Sequence, residues 1–493
     1  MWHTGRKRDN LRRSKTLMHP RIEALLRAAA LAFCFGCAAA PSVQADSVTL
    51  TIPQTRAAAR DALAKGEFDL AVQLARGLLQ ANPKDAQAYY IIALAYQQLG
   101  DNRLGRKAAG YAFRYSEHPQ DRYTTAQLAA KFALQQKRYT LAQYWLRRSI
   151  DHVPNEKLHQ LAIADFKHLR ADNPWQIRLQ FSVAPTNNVN SGAGDPENEI
   201  DGTDLPAGIL SPSAMALSGA ISTGKINASY RLARTKNSET QLAFRAFAKQ
   251  VTLSSAAKRL LATGPATVPP LTGRDFSSSF FSLGIVHTMR NGVRPDRPRG
   301  NGQTQLALTY GQSHFAGNLY YHTAKASVAR LLSLSDSHAI KLKFRLEHRD
   351  YRTGSSSDTA AIQVEMSHQL ANADRLSYGI SLAATAATAI NLRQELASGY
   401  VAYEPAKNLG PARISFILGA SFSHYYDYRV GFFLVPGGRK DTTLHGMVSA
   451  HFEDYDFGGF SPTLTLHARE TQSNVGRFDT DELTLSIGFK SNF

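Results

Sequence analysis

The chain predicts an α + β membrane protein, with N-terminal α-helical repeats followed by a transmembrane antiparallel β-barrel of about 14 strands. Three observations carry that expectation. Apolar residues recur at helical spacing from Thr55 to about Asn173, then switch at Trp175 to strict alternation. The alternation continues to the last residue, and the chain stops in mid-pattern on an aromatic, Phe493.

The elements follow in chain order. Eight basic residues precede an apolar run from Ala28 to Ala40, and Val43-Gln44-Ala45 offers a small-residue exit. Those three parts make residues 1–45 a secretory signal, too short in its apolar core to span a bilayer. Its basic stretch is long, so Met18 is an alternative start. Cys34 and Cys37, the two cysteines of the chain, both fall inside this segment. A mature chain from about Asp46 has no disulfide, thiolate metal site or cysteine nucleophile.

Residues 46–174 read as a periplasmic helical repeat domain. Small residues at Ala71, Gly105 and Ala142, with Pro83, Pro119 and Pro154 closing each unit, recur with a period of about 34 residues. Two antiparallel helices cross closely only over a small side chain, and proline stops the second helix. This pattern resembles the tetratricopeptide repeat, with Ala58, Tyr89, Ile92, Ala93, Tyr96 and Ala130 at its packing positions. The third copy is degenerate, because Lys137 replaces the turn glycine. A closing helix over Lys157–Arg170 is expected to cap the stack. Tyr89, Tyr90, Arg103, Arg106, Lys107, Arg147 and Arg148 are the candidates for a concave substrate groove. The plainer reading of them is inter-helix tyrosines and a solvated basic face.

Residues 175–493 read as the barrel. Ile177, Leu179, Phe181 and Val183 alternate with Arg178, Gln180, Ser182 and Ala184, and similar runs recur across the remaining sequence. Strands of about ten residues, spread over such a length with no helix between them, suit a bilayer better than a soluble sandwich. Fifteen strand candidates can be marked. Closure with both ends in the periplasm requires an even number, and the turns are least clear between Asn301 and Ser337. Opposite the lipid-facing set, Arg178, Arg231, Lys341, Lys343, Arg345 and Glu347 are expected to line the lumen. Tyr320, Tyr321, Tyr400, Tyr403, Tyr425, Tyr426 and Phe452 are expected to form interfacial girdles. The stretches Thr186–Ser213, Val251–Arg274 and Asp427–Lys440 are expected to be extracellular loops. Leu485, Ile487, Phe489 and Phe493 resemble the terminal signal read by the outer-membrane barrel assembly machinery, with Ser491 a departure from it.

Composition excludes several classes. A formal net charge of +18 raises nucleic acid as a partner, but the excess is diffuse. The signal, repeat and barrel segments each carry +6, which reads as solvated surface and lumen lining, with no nucleic acid bound. Zinc-protease, phosphate-loop and dinucleotide motifs are absent, so neither an enzyme nor a cofactor is expected. His152, His159 and His168 lack the spacing of a metal pair. A hydrolase with its residues scattered on separate strands stays open.

Signal, short repeat domain and barrel, in that order, resemble the surface lipoprotein assembly modulator family. The more specific parts are Asn187-Asn188-Val189-Asn190 after the first strand, and Lys440-Asp441-Thr442, Ser461-Pro462 and Ser473-Asn474-Val475 toward the end. The resemblance implies a monomeric barrel in the Gram-negative outer membrane. It would help surface lipoproteins or small secreted proteins across, with periplasmic repeats receiving them. A porin, or an exopolysaccharide-export barrel with a repeat domain, is the alternative, and an adhesin is a third reading.

Overall fold

The computed structural model describes residues 49–201, 208–265, 270–292, 301–455, 457 and 459–491. The signal segment and Phe493 lie outside these described residues. Among the described residues seven helices come first: α1 (Ile52–Lys65), α2 (Phe68–Ala81), α3 (Ala86–Leu99), α4 (Asn102–Tyr115), α5 (Pro119–Gln135), α6 (Tyr139–Ile150) and α7 (Glu156–Asp172). Their starts are set by side-chain caps. Thr51 and Gln54 form a capping box, and Asp85, Asp101 and Asn155 accept from Ala88, Leu104 and Leu158 backbone N–H groups at 2.9–3.0 Å. The turn inside each hairpin needs a left-handed residue. Gly66 (φ 85°), Gly100 (φ 77°) and Lys137 (φ 56°) occupy that same place in the three hairpins.

Close crossing follows from small residues. A Cβ added to Gly105 would lie 2.4 Å from the ring of Phe132, which is fully buried between α4 and α5. Ala71, Ala75, Ala93 and Ala129 extend this core, and a second cluster joins Ala142, Leu146 and Leu169 to close the stack. The repeats are thus tetratricopeptide-like helical hairpins with α7 as their end piece.

Fourteen strands close into an antiparallel barrel: β1 (Trp175–Thr186), β2 (Gly219–Arg234), β3 (Ser238–Leu253), β4 (Ser278–Asn291), β5 (Gly302–Phe315), β6 (Asn318–Ser333), β7 (His338–Tyr351), β8 (Ser356–Gln369), β9 (Arg375–Ala387), β10 (Gln394–Glu404), β11 (Arg413–Tyr425), β14 (Arg439–His451), β15 (Phe460–Ser473) and β16 (Thr480–Ser491). β12 (Arg429–Val430) and β13 (Phe433–Leu434) form a separate small ribbon. Closure is made by β1 against β16, with Gln180 opposite Lys490 and Val183 opposite Ile487. The unclear stretch after Asn301 resolves into β5 and β6, joined by a turn with Ala316 and Gly317 in left-handed conformation. The even count brings the start of β1 and the end of β16 to one end, where the helices also sit.

The two faces of each strand differ in kind. On β7, Leu342, Phe344 and Leu346 point outward and are exposed, while Lys341, Lys343, Arg345 and Glu347 point inward. The outward rows form an apolar belt around the cylinder, a surface that only hydrocarbon solvates well. The barrel therefore spans a membrane. Among the described residues no helix is long and apolar enough to do so.

Three expectations need revision. The strands run 11–16 residues, longer than ten, so they project beyond the hydrocarbon. Tyr321, Tyr400 and Tyr425 fall on inward rows and do not join an interfacial girdle, because a phenol suits a wet lumen as well as a headgroup layer. The expected loops are partly regular: β3 runs through Leu253 and is followed by helix α8 (Ser255–Leu261), and Arg439 and Lys440 begin β14.

Candidate functional site

The path suggested by the fold has four parts, taken here from the helices to the far end of the barrel. The first helix of each hairpin faces a common hollow. Arg60 and Leu63 of α1, Gln87, Tyr90 and Leu94 of α3, and Asp121 and Thr124 of α5 line a cavity of about 400 Å³. Its floor is apolar, and its rim carries one cation, one carboxylate and several hydrogen-bonding groups. Arg60 donates to Gln87 at 2.9 Å. Burial, and secondarily the charge of Asp121, pushes the Tyr90 hydroxyl above its ordinary pKa.

Of the seven groove candidates, only Tyr90 lies in this hollow. Tyr89 points away, stacking on Tyr111 at 5.1 Å and Tyr115 at 5.8 Å. Successive helical residues diverge by a large angle, so adjacent tyrosines cannot share one face. Arg103, Arg106 and Lys107 sit on α4, and Arg147 and Arg148 on α6, the second helices of their hairpins. Arg106 donates to Gln136 at 3.4 Å, and Arg148 covers the Phe113 ring at 5.0 Å. The groove is consequently mixed in character and not basic. The missed residues had a signal in the repeat itself, since Thr124 follows Tyr90, and Asp121 follows Gln87, by one repeat of about 34 residues.

Between helices and barrel there is almost no slack. Asn173, nearly fully buried, donates to Gln143 at 2.6 Å and to Thr140 at 3.2 Å. Its own side-chain oxygen accepts from the N–H of Trp175, the first residue of β1, at 3.0 Å. Arg231 and Arg234 of β2 both donate to the Ala171 carbonyl, at 3.0 and 3.2 Å. Two guanidiniums on an open carbonyl at a helix C-terminus are favoured by hydrogen bonding and by the helix dipole. Arg231, expected as lumen lining, is thus a clamp at the mouth, and Glu239 faces both arginines at 3.4 and 3.8 Å.

Inside the barrel, the Glu347 carboxylate is 1% exposed and gathers a cluster around itself. It accepts from Arg349 at 2.7 Å, Lys325 at 3.2 Å and Thr323 at 3.2 Å, with Arg345 at 3.9 Å. Lys341 faces Glu365 at 3.6 Å. Lys341, Lys343, Arg345 and Glu347 are therefore brought together on one inward row. Arg178 also points inward, but on β1 near the helical end.

At the opposite end three of the stretches that carried the family resemblance converge, whereas Ser461-Pro462 begins β15 at the helical end, opposite Lys490 and Phe489. Asn188 donates to the carbonyls of Gly192 and Asp481, and Asn187 to the Asp481 carboxylate. Asn190 donates to the carbonyls of Ser213 and Met215. Asn474 accepts from Lys440 N–H at 2.7 Å and donates to the Gly438 carbonyl at 2.9 Å. Asparagine serves because its amide donates and accepts at once, satisfying loop backbone that has no sheet partner. Inward-pointing Lys249 donates to the Val189 carbonyl at 2.7 Å, and Val189 packs with Leu217 and Val251, so the β1–β2 loop folds into the mouth. Arg439 lies between the rings of Phe478 at 3.5 Å and Tyr425 at 4.0 Å, with Asp441 accepting from it at 2.6 Å. Of the terminal residues, Leu485, Ile487 and Phe489 face outward on β16.

No family model matches the chain, and no curated protein matches it. Solved structures do. The helices are similar to the type III secretion translocator chaperone SycD of Yersinia enterocolitica, with 16% identity over 25% of this chain and 85% of that one, at a TM-score of 0.23. They are also similar to PcrH in complex with the chaperone binding region of PopD, with 19% identity over 26% and 98% of the two chains, at a TM-score of 0.23. The barrel is similar to Acinetobacter baumannii OccAB3, with 8% identity over 64% and 98%, at a TM-score of 0.35. The architecture rests on strand order, register and the apolar belt described above.

Proposed function

We propose that the chain is an outer-membrane translocator of the surface lipoprotein assembly modulator kind, and not an enzyme. Its helical repeats would face the periplasm and receive an extended segment of a secreted protein or lipoprotein. The polar lumen would then carry that segment across. One observation supports this reading above others: groove and lumen stand in series, joined by the Asn173 staple and the two-arginine clamp. Repeat hollows suit extended peptides, and here the apolar floor with a hydrogen-bonding rim is of that kind. No nucleotide motif occurs in the sequence, so the drive would come from cargo folding outside or from other machinery.

Deletion of residues 46–173 tests the reading. The barrel should still fold into membranes while cargo display at the cell surface is lost. Display that persists unchanged would remove the repeats from the mechanism. A passive porin or glycan exporter is the second reading, favoured by the β1–β2 loop folded into the mouth in the manner of a constriction. A large, steady conductance of the purified protein in planar bilayers would favour it over translocation.

A further inference from the structure

The inner wall over β3, β6 and β7 holds more cations than its carboxylates can match. Arg245, Lys325, Lys341, Lys343, Arg345 and Arg349 point inward there, against Glu347 and, from β8, Glu365. Glu347 is committed to Lys325, Arg345 and Arg349, and Glu365 to Lys341. Among the described residues neither Arg245 nor Lys343 forms an ion pair, although Lys343 lies within the electrostatic reach of Arg245, Lys325, Lys341 and Arg345. A converging group of like charges is unfavourable unless an anion joins it.

Register explains why the β6 and β7 side chains meet: Lys325 stands opposite Glu347, and Ser327 and Ala329, both small, stand opposite Arg345 and Lys343, so the inward row of β7 is open to the lumen.

We propose that the inner face of this wall is a carboxylate-binding constriction for acidic side chains of an extended polypeptide. Arg245 and Lys343 are its free cations, with Lys341 and Arg345 beside them. The spacing selects a polymer over a small anion. Lys341, Lys343 and Arg345 occupy alternate positions of one strand, so they stand about 7 Å apart along it. Same-face side chains of an extended peptide repeat at that same distance, whereas a free amino acid or chloride fills one step. Glu347 already demonstrates the chemistry within the chain, holding a lysine, an arginine and a threonine hydroxyl on one carboxylate. That the polymer is a polypeptide rests on the function proposed above; the anion site itself rests on the charges.

The test is fluorescence anisotropy of labelled hexaglutamate with the purified mature protein in detergent at low salt. Binding should weaken as salt rises, and free glutamate should compete only at far higher concentration. The Arg245→Glu/Lys343→Glu double variant should bind at least about tenfold more weakly. Lys343→Gln, a milder change for use if the double variant does not fold, should lose affinity several-fold with strand content intact. Absence of wild-type binding, equal competition by free glutamate, or unchanged binding by a folded variant would overturn the constriction. Cargo display that persists in cells lacking this chain, with normal hexaglutamate binding, would sink the translocator reading alone.

Discussion

The helical unit and the barrel solve opposite solvation problems with the same alphabet. In the helices, apolar side chains point to the centre, and the tightest contacts use the smallest residues, Gly105 beneath Phe132 and the alanines around it. In the barrel, apolar side chains point away from the centre, where Leu342, Phe344 and Leu346 are exposed and Glu347 is buried. The lesson is that burial alone does not locate a core. What decides it is the medium each face meets: water around the helices, hydrocarbon around the strands.

Charge placement should break that contrast most strongly. Leu418 stands near the middle of β11 on the outward row, 60% exposed, and Ser421 stands on the inward row. Leu418→Arg should destabilise the barrel by about 2–4 kcal/mol, and Ser421→Arg by well under that, because only the first charge faces lipid. Reversible denaturant titration in vesicles measures both; equal losses would mean that the outward row is not lipid-facing. A smaller effect is expected in the helices, where Gly105→Val should cost about 1–3 kcal/mol by driving a branched side chain into Phe132. Circular dichroism should show the helices melting earlier with the strands unmoved. Smallest is a gain. Lys137→Gly should raise the helical melting point by relieving up to about 1 kcal/mol of left-handed strain at φ 56°. No rise would mean that the lysine is not strained in this turn.

The barrel was legible in the sequence because each strand repeats the rule locally: Ile177, Leu179 and Phe181 announce a face without help from any distant residue. Parity excluded fifteen strands but left fourteen or sixteen open, because the turn signals between Asn301 and Ser337 are weak; the closed barrel has fourteen. Groove residues were harder to place. A hollow built from α1, α3 and α5 depends on which side of each helix turns inward, and Tyr89 and Tyr90 are equivalent until a third helix packs against them. The basic residues of α4 and α6 were misleading for the same reason. The asparagine stretches could be marked in the sequence, but their meeting at the far end depends on residues as far apart as Asn188 and Asp481. Arg231 was expected in the lumen lining; its partner at the mouth, a helix-end carbonyl, carries no side-chain signature.

Between Asp172 and Trp175 the polypeptide spends only two residues, and both halves of the junction are bonded. If the hollow receives a peptide as proposed, a receptor mounted so stiffly has no tether whose reach must be searched. A peptide released from the hollow would then meet the cylinder's entrance at a local concentration set by fixed distance, and rebinding would compete directly with entry. Lengthening that two-residue hinge would dilute the encounter while leaving both modules chemically unchanged.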